Sequence, residues 1–372
     1  MRSLLFLISF SFALVAQAQI ETNFTVKTNT GYEHNIFKFP STYVDGEGDL
    51  VSGSDALMSS FYQQLYARLA LKRSWKKSSL SLSFSPQTFI YYAEEDANYS
   101  EFFGKLQHQY NFKKYLKLTT SAWYRLKDRE GLNADASDLA FPLGYNHYGV
   151  YSNLNFRLSR LNRSELRIAY NTKNYDATET SELSYNAFTG KYVFKNIFRR
   201  NTGYHHYGFV LDFSNRAFTR QRASGDDTFT WRDISAEVFY KYPMSKPIDI
   251  TAAFSVKNRK DSNQDRFSSS QVSPSLSFRY KTKTWDANVS TSYTLRNYET
   301  IAATDINGDN IGQLEYQYLR LNFNIEKSIT SKFTLFLDGN IANRDSNRTD
   351  VNSIFFRSYE YANVSLGIRY RF

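Results

Sequence analysis

The last residues of the chain, YANVSLGIRYRF (361–372), alternate without a break. Val364, Leu366, Ile368, Tyr370 and Phe372 take one parity. Asn363, Ser365, Gly367, Arg369 and Arg371 take the other. Successive side chains of a strand point to opposite faces, so this is a strand with one apolar face and one wet face. In a soluble sandwich the apolar face turns toward a core. In a closed sheet that crosses a membrane it turns outward to hydrocarbon. These residues alone leave both arrangements open, and the rest of the chain decides between them.

By length alone, 372 residues suggest two soluble domains. The composition argues otherwise. Phe (31) and Tyr (29) are abundant and Pro is scarce (6), yet mean hydropathy is only -0.53. Strands that are apolar on one face and polar on the other give that average. With Cys at 0, disulfide frameworks, cysteine metal sites and thiol nucleophiles are excluded. A net charge of +10 would suit nucleic acid, but the N-terminus argues against that partner. MRSLLFLISFSFALVAQAQ carries a basic start at Arg2, an apolar run from Leu4 to Val15, and the small-residue cleavage pattern AQA at 16–18. It reads as a signal peptide over 1–18, cleaved after Ala18, with one domain over 19–372. No Cys follows it, so the chain is not a lipoprotein. No other stretch approaches the roughly 20 apolar residues of a membrane-spanning helix.

Strand patterns recur from residue 22 to the end. They fall near 22–34, 59–74, 79–92, 99–112, 115–127, 144–159, 163–175, 185–197, 203–216, 228–242, 247–259, 267–280, 284–298, 313–327, 332–344 and 354–372. In WDANVSTSYTLR, Trp285, Ala287, Val289, Tyr293 and Leu295 alternate with Asp286, Asn288, Ser290, Ser292 and Arg296. If 185–197 and 203–216, whose alternation is weakest, are not strands, sixteen becomes fourteen. The connections come in two kinds that take turns. WKKSS, FKKY, RLNR, FRRN, MSKP, KTKT and SITSK are short and basic. VDGEGDLVSGSD, EEDAN, REGLNADASD, DATETSE, SGDD, SNQD and TDINGDN are longer, and mostly acidic or rich in Gly and Asn. A sandwich has no reason to sort its loops this way. An outer-membrane barrel does, with short periplasmic turns on one rim and long extracellular loops on the other.

The chain ending therefore resembles the C-terminal signal of the Gram-negative outer-membrane β-barrel proteins, a porin-like superfamily. It does so at Val364, Leu366, Ile368, Tyr370 and Phe372. The resemblance implies an all-β, single antiparallel transmembrane barrel in the outer membrane. It also implies outer-membrane lipid and lipopolysaccharide around the barrel, and the barrel-assembly machinery as a partner in biogenesis.

Charge facing lipid costs about 2–4 kcal/mol at the membrane midplane, so charged residues in the strands are expected to face the lumen. Arg68, Lys105, Arg125, Arg157, Arg167, Arg296 and Arg320 carry that parity among the cations, and Glu237 and Asp338 among the fewer acids. As pore-lining groups they would favour anions. Arg320 and Asp338, on neighbouring strands about equally far from SITSK, are expected to pair. The leading expectation is a passive channel for small polar or anionic solutes, without cofactor or metal. A rival is a non-catalytic scaffold that anchors a surface or periplasmic protein. A third is a barrel enzyme, for which no local motif is present. The five His are scattered, with GYNHYG (144–149) on the loop rim and GYHHYG (203–208) on the turn rim. Asp305, Asn307 and Asp309, like Asp45, Glu47 and Asp49, echo the start of a calcium loop. The bidentate Glu of such a loop is one residue out of place after Asp309, and solvated loops are expected.

Overall fold

The computed structural model describes residues 20–40, 42–44, 50–52, 57–129, 132–133, 141–176, 182–222, 225–263, 265–353 and 355–372. The leader 1–18 and the acidic trio Asp45, Glu47 and Asp49 lie outside them. The barrel strands are β1 (Ile20–His34), β2 (Ser60–Ser74), β3 (Ser78–Tyr91), β4 (Tyr99–Lys113), β5 (Leu116–Asp128), β6 (Tyr145–Arg157), β7 (Asn162–Tyr175) and β8 (Glu182–Arg200). They continue with β9 (Gly203–Arg222), β10 (Gly225–Ser245), β11 (Ile248–Asp261), β12 (Ser269–Lys281), β13 (Trp285–Thr304), β14 (Asn310–Ser328), β15 (Phe333–Ser346) and β16 (Tyr359–Arg371). Each pairs antiparallel with its neighbours in sequence, and β1 pairs with β16 to close the barrel. Sixteen strands is the number the alternation predicts.

The alternation decides which face is which. Ile234 and Leu366 are 61% and 60% exposed, whereas Asp233 and Ser365, next to them in sequence, are 5% exposed. Exposed aliphatic and aromatic residues share the outward parity around the barrel, among them Leu106, Val150, Ile168, Leu276 and Leu319. The five residues of the terminal pattern, Val364 to Phe372, are all on this face. Proline, which cannot donate to a ladder, marks each irregularity it enters. The β2–β3 register is interrupted beside Pro86, the β12–β13 register beside Pro274, and β10 bulges after Pro243.

Several strands outrun the expectation. β8, β9, β10, β13 and β14 have 19, 20, 21, 20 and 19 residues, whereas about 9–11 cross a bilayer. The excess lies on the loop side. Above Ile234 on β10 the outward parity passes to Arg232 and Thr230, and above Leu295 on β13 to Asn297 and Glu299. The apolar belt thus ends there, and the hairpins continue into water. Gly225, Asp226 and Asp227 of SGDD are accordingly strand residues at the far end of the β9–β10 pair, with Arg222 opposite Gly225. The two weakest alternating segments, 185–197 and 203–216, belong to these long strands.

The seam is held at its turn end by the last residue. The Phe372 amide donates to the Phe24 carbonyl at 2.9 Å. Its ring lies 5.1 Å from Phe24 and 4.7 Å from Tyr370. An unclosed sheet leaves unpaired backbone groups in hydrocarbon, so deleting Phe372 is expected to cut folded, heat-modifiable barrel in membranes about tenfold. Wild-type amounts after the deletion would contradict this role.

Candidate functional site in the barrel lumen

Side chains that meet across an intervening strand identify the concave face. Lys27 on β1 reaches Asp338 on β15 at 3.0 Å, across β16. Arg369 on β16 grips Glu326 on β14 at 2.8 and 2.6 Å, across β15. Tyr91 on β3 donates to Glu33 on β1 at 2.6 Å, across β2. Strand parity carries this face to Arg68, Lys105, Arg125, Arg157, Arg167, Glu237, Arg296, Arg320 and Asp338. They do not form one ring. Arg125 meets Glu101 at 3.3 Å. Lys105 and Arg167 converge on the Tyr151 ring, at 5.4 and 4.0 Å from its centroid. Arg296 donates to Gln271 at 3.2 Å. Arg157 sits near the turn rim, and Arg68 halfway down beside Thr25.

The expected Arg320–Asp338 pair does not form. The hairpin after β14 places Ser328 opposite Thr334, and that register sets Arg320 opposite Ala342 and Asp338 opposite Asn324. A turn's type and length fix register, and counting residues from the turn motif misplaced this pair by two on each strand. Asp338 instead takes Lys27, with a hydrogen bond from Asn324, and Arg320 lies 5.4 Å from the Tyr318 ring centroid.

The acids of the wall are largely absorbed by neighbours. Asp233 is surrounded by Arg259 at 2.9 Å, Lys257 at 3.3 Å and Arg216 at 4.0 Å. Asp249 takes Lys241 at 2.6 Å, and Asp286 takes Arg279 and Lys281 at 2.8 and 3.0 Å. Asp233 and Glu33 share the parity of residues singled out from sequence, but only the register reveals their partners. What remains is positive. Arg68, Lys105, Arg157, Arg167 and Lys173 have no carboxylate partner among the described residues, and all lie on β2–β7. Lys173 lies over two rings, 3.7 Å from Tyr145 and 4.2 Å from Tyr175. The middle of the β12–β13 wall carries hydroxyls, with Ser273, Ser275, Ser277, Ser290 and Ser292 on the inner face.

The loop end of the lumen is narrowed from two sides. On β9–β14 a buried cluster includes Phe218, Phe229, Trp231, Tyr298 and Tyr316. The segment before β16 folds over it, with the Tyr316 hydroxyl donating to the Phe355 carbonyl at 2.6 Å and buried Arg344 bonded to the Arg357 carbonyl. On the other side the start of the first loop turns inward. Asn35, at φ 55°, ties it down by donating to the Phe39 and Glu360 carbonyls at 2.8 Å each, and Ile36 packs against Tyr62 and Tyr91. A 400 Å³ cavity remains beneath it. Lower down, a 590 Å³ cavity is lined by Lys27, Arg68, Arg369 and Arg371. At the turn rim a 730 Å³ cavity is lined by Lys76, Lys77, Lys113, Lys114, Arg157 and Arg163, with no carboxylate.

Other expected features fall into place as structure. His147 faces Asn171 at 2.9 Å on the loop side. His205, on the turn rim, is held between Thr202 at 2.9 Å and Tyr240 at 2.7 Å. His34 lies 3.0 Å from the Ser59 hydroxyl on the loop rim. That oxygen also accepts the Asn35 amide, and no carboxylate bonds His34 among the described residues, so the contact closes the base of the first loop. Asp305 accepts the amides of Asn307 and Asp309 at 2.9 Å each, a turn made from its own backbone.

No protein family and no curated protein matches the sequence. Solved structures do match. A bacterial polysaccharide outer-membrane secretin aligns over 94% of this chain and 98% of its own, with a TM-score of 0.51 at 8% identity. The fold it shares with this chain is a closed antiparallel β-barrel. OccAB3 from Acinetobacter baumannii aligns over 95% of this chain and 99% of its own, at TM-score 0.49 and 11% identity. OpdK from Pseudomonas aeruginosa aligns over 94% and 98%, at 0.45 and 8%. At such identities the likeness is one of fold. The fold and the apolar belt around it suit an outer-membrane location.

The corrected ion pair is testable by a double-mutant cycle on urea unfolding in lipid vesicles. Lys27→Ala and Asp338→Ala are expected to couple by about 0.5–3 kcal/mol, whereas Arg320→Ala and Asp338→Ala should add within about 0.5 kcal/mol.

Proposed function

We propose that the barrel is a passive channel for small anionic solutes, restricted at its loop end. The observation that carries this reading is the mismatch of charge on the inner wall. The acids are mostly held in ion pairs, while Arg68, Lys105 and Arg167 have no carboxylate partner among the described residues, and Arg68 is exposed to water. Sixteen strands leave room for an aqueous path. The Debye length is about 8 Å at physiological salt, so fixed charges on the wall act across much of such a lumen. Unbalanced cations there raise the local concentration of anions and lower that of cations. In this reading the leader exports the chain, the machinery that assembles barrels reads the β16 pattern, and lipid with lipopolysaccharide surrounds the belt.

A second reading, a non-catalytic scaffold for a surface or periplasmic protein, draws support from the aromatic cluster and the strap that fill the loop end over β9–β14. Ion selectivity separates the two. In a salt gradient across a planar bilayer the reversal potential is expected on the anion side. Replacing Arg68 and Arg167 by Glu should move it toward cations while the barrel stays folded, because a change from + to − at each site reverses the sign of its field. A native channel that prefers cations would overturn the anion assignment. An intact barrel that never conducts would leave the scaffold.

A further inference from the structure

The 400 Å³ cavity at the loop end joins an aromatic wall to a cationic one. One part of its wall is aromatic. Phe89 and Tyr99 stack at 4.5 Å with planes 12° apart, and Tyr62 lies 5.6 Å from Phe89. Tyr62 can lie flat against the wall because Gly31 faces it. A Cβ at residue 31 would come within 2.7 Å of the Tyr62 ring and of the Val364 carbonyl. The other part is cationic. The Arg129 guanidinium is 4.8 Å from the Tyr99 centroid and 5.6 Å from Phe37, and the Lys127 ammonium is also 4.8 Å from Tyr99.

These cations are not neutralised from within. Glu101 on β4, opposite Lys127, is held by Arg125 at 3.3 Å, and the oxygens of buried Glu33 are occupied by the Tyr91 hydroxyl at 2.6 Å, the Tyr361 hydroxyl at 3.0 Å and the Asn363 amide at 3.0 Å. Asp338, on the far side of the cavity, is held by Lys27. Nε and Nη2 of Arg129 are buried and find no hydrogen-bond acceptor among the described residues. A buried donor without an acceptor is costly, and for a charged group more so. Guanidinium donors fork toward carboxylate or phosphate oxygens with good geometry. Aromatic walls beside them favour a flat ring over a bare inorganic ion. The volume lies within the range of small-molecule sites.

From this geometry we infer that the cavity is a binding subsite for small organic anions that carry a planar ring, with the anionic group on Arg129 and Lys127 and the ring against Tyr99 and Phe89. The inference deepens the channel reading by naming the solute class. It can nevertheless be measured without conduction, because binding needs only the folded barrel.

The test is calorimetric titration of the detergent-solubilised full chain with phenyl phosphate, inorganic phosphate and phenol. Phenyl phosphate should bind saturably. Inorganic phosphate and phenol should each bind at least about tenfold more weakly, since each lacks one of the two recognised groups. Arg129→Gln should weaken phenyl phosphate by at least about tenfold, and Tyr99→Leu should weaken phenyl phosphate while leaving inorganic phosphate unchanged. Lys283→Ala, on a distant turn, should leave binding as it is. Heat-modifiable migration confirms that each variant is folded, and Arg129→Lys replaces Arg129→Gln if that variant is not. Equal affinity for phosphate and phenyl phosphate, absence of phenyl phosphate binding, or wild-type binding by the Arg129 variant would overturn the subsite. A conducting barrel that does not bind phenyl phosphate would sink this inference alone. Binding by a barrel that never conducts would sink the channel and leave the subsite standing.

Discussion

Every backbone amide and carbonyl that lies in hydrocarbon must be paired, and a sheet meets that demand only by closing on itself. In this chain closure occurs where β1 meets β16, in a register that runs from Thr25 opposite Arg371 to His34 opposite Ala362. Once the sheet is closed, each strand has one face toward lipid and one toward the lumen. Phe372 secures the seam on the outside, and Lys27 with Asp338 spans it on the inside. The sorting of side chains, the belt and the charged interior all follow from that closure.

Closure also explains the electrostatics. Charges driven off the lipid face collect inside, where curvature brings side chains from second-neighbour strands within reach. Acids such as Glu326 and Asp338 exploit this to find cations two strands away. The chain has more cations than acids, 46 against 36, so pairing leaves a positive remainder. That remainder is not spread evenly. It is densest on β2–β7, opposite the serine hydroxyls of β12–β13, with Lys195 on β8 and Arg371 on β16 besides. At the loop end the first loop and the strap before β16 fold in from different sides, so that wall continues upward into a cavity with both cations and rings.

Much of this was legible in the sequence, for a simple reason. Period-two alternation records which face each residue takes, independently of neighbouring strands. Strand number, the two rims and the inner placement of residues such as Arg68, Arg167 and Glu237 could therefore be read directly. Register is different, because it depends on turn geometry. Distance from a turn pairs Arg320 with Asp338, whereas the hairpin geometry sets them apart. The long hairpins leave little trace in the sequence because alternation loses its contrast once both faces are wet, as at Arg232 and Thr230. The loop-end cavity was not legible at all. Tyr62, Tyr99, Arg129 and Glu33 come from separate parts of the chain, and only closure and the inward fold of the first loop bring them together.

The central claim is that the closed barrel holds a water-filled path biased by fixed positive charge. Single-channel recording of the purified native protein in planar bilayers tests it most directly. The account predicts discrete conductance steps, with a preference for anions that weakens as salt rises and the wall charges are screened. Folded protein that inserts but gives no steps, or whose anion preference is independent of salt, would contradict it.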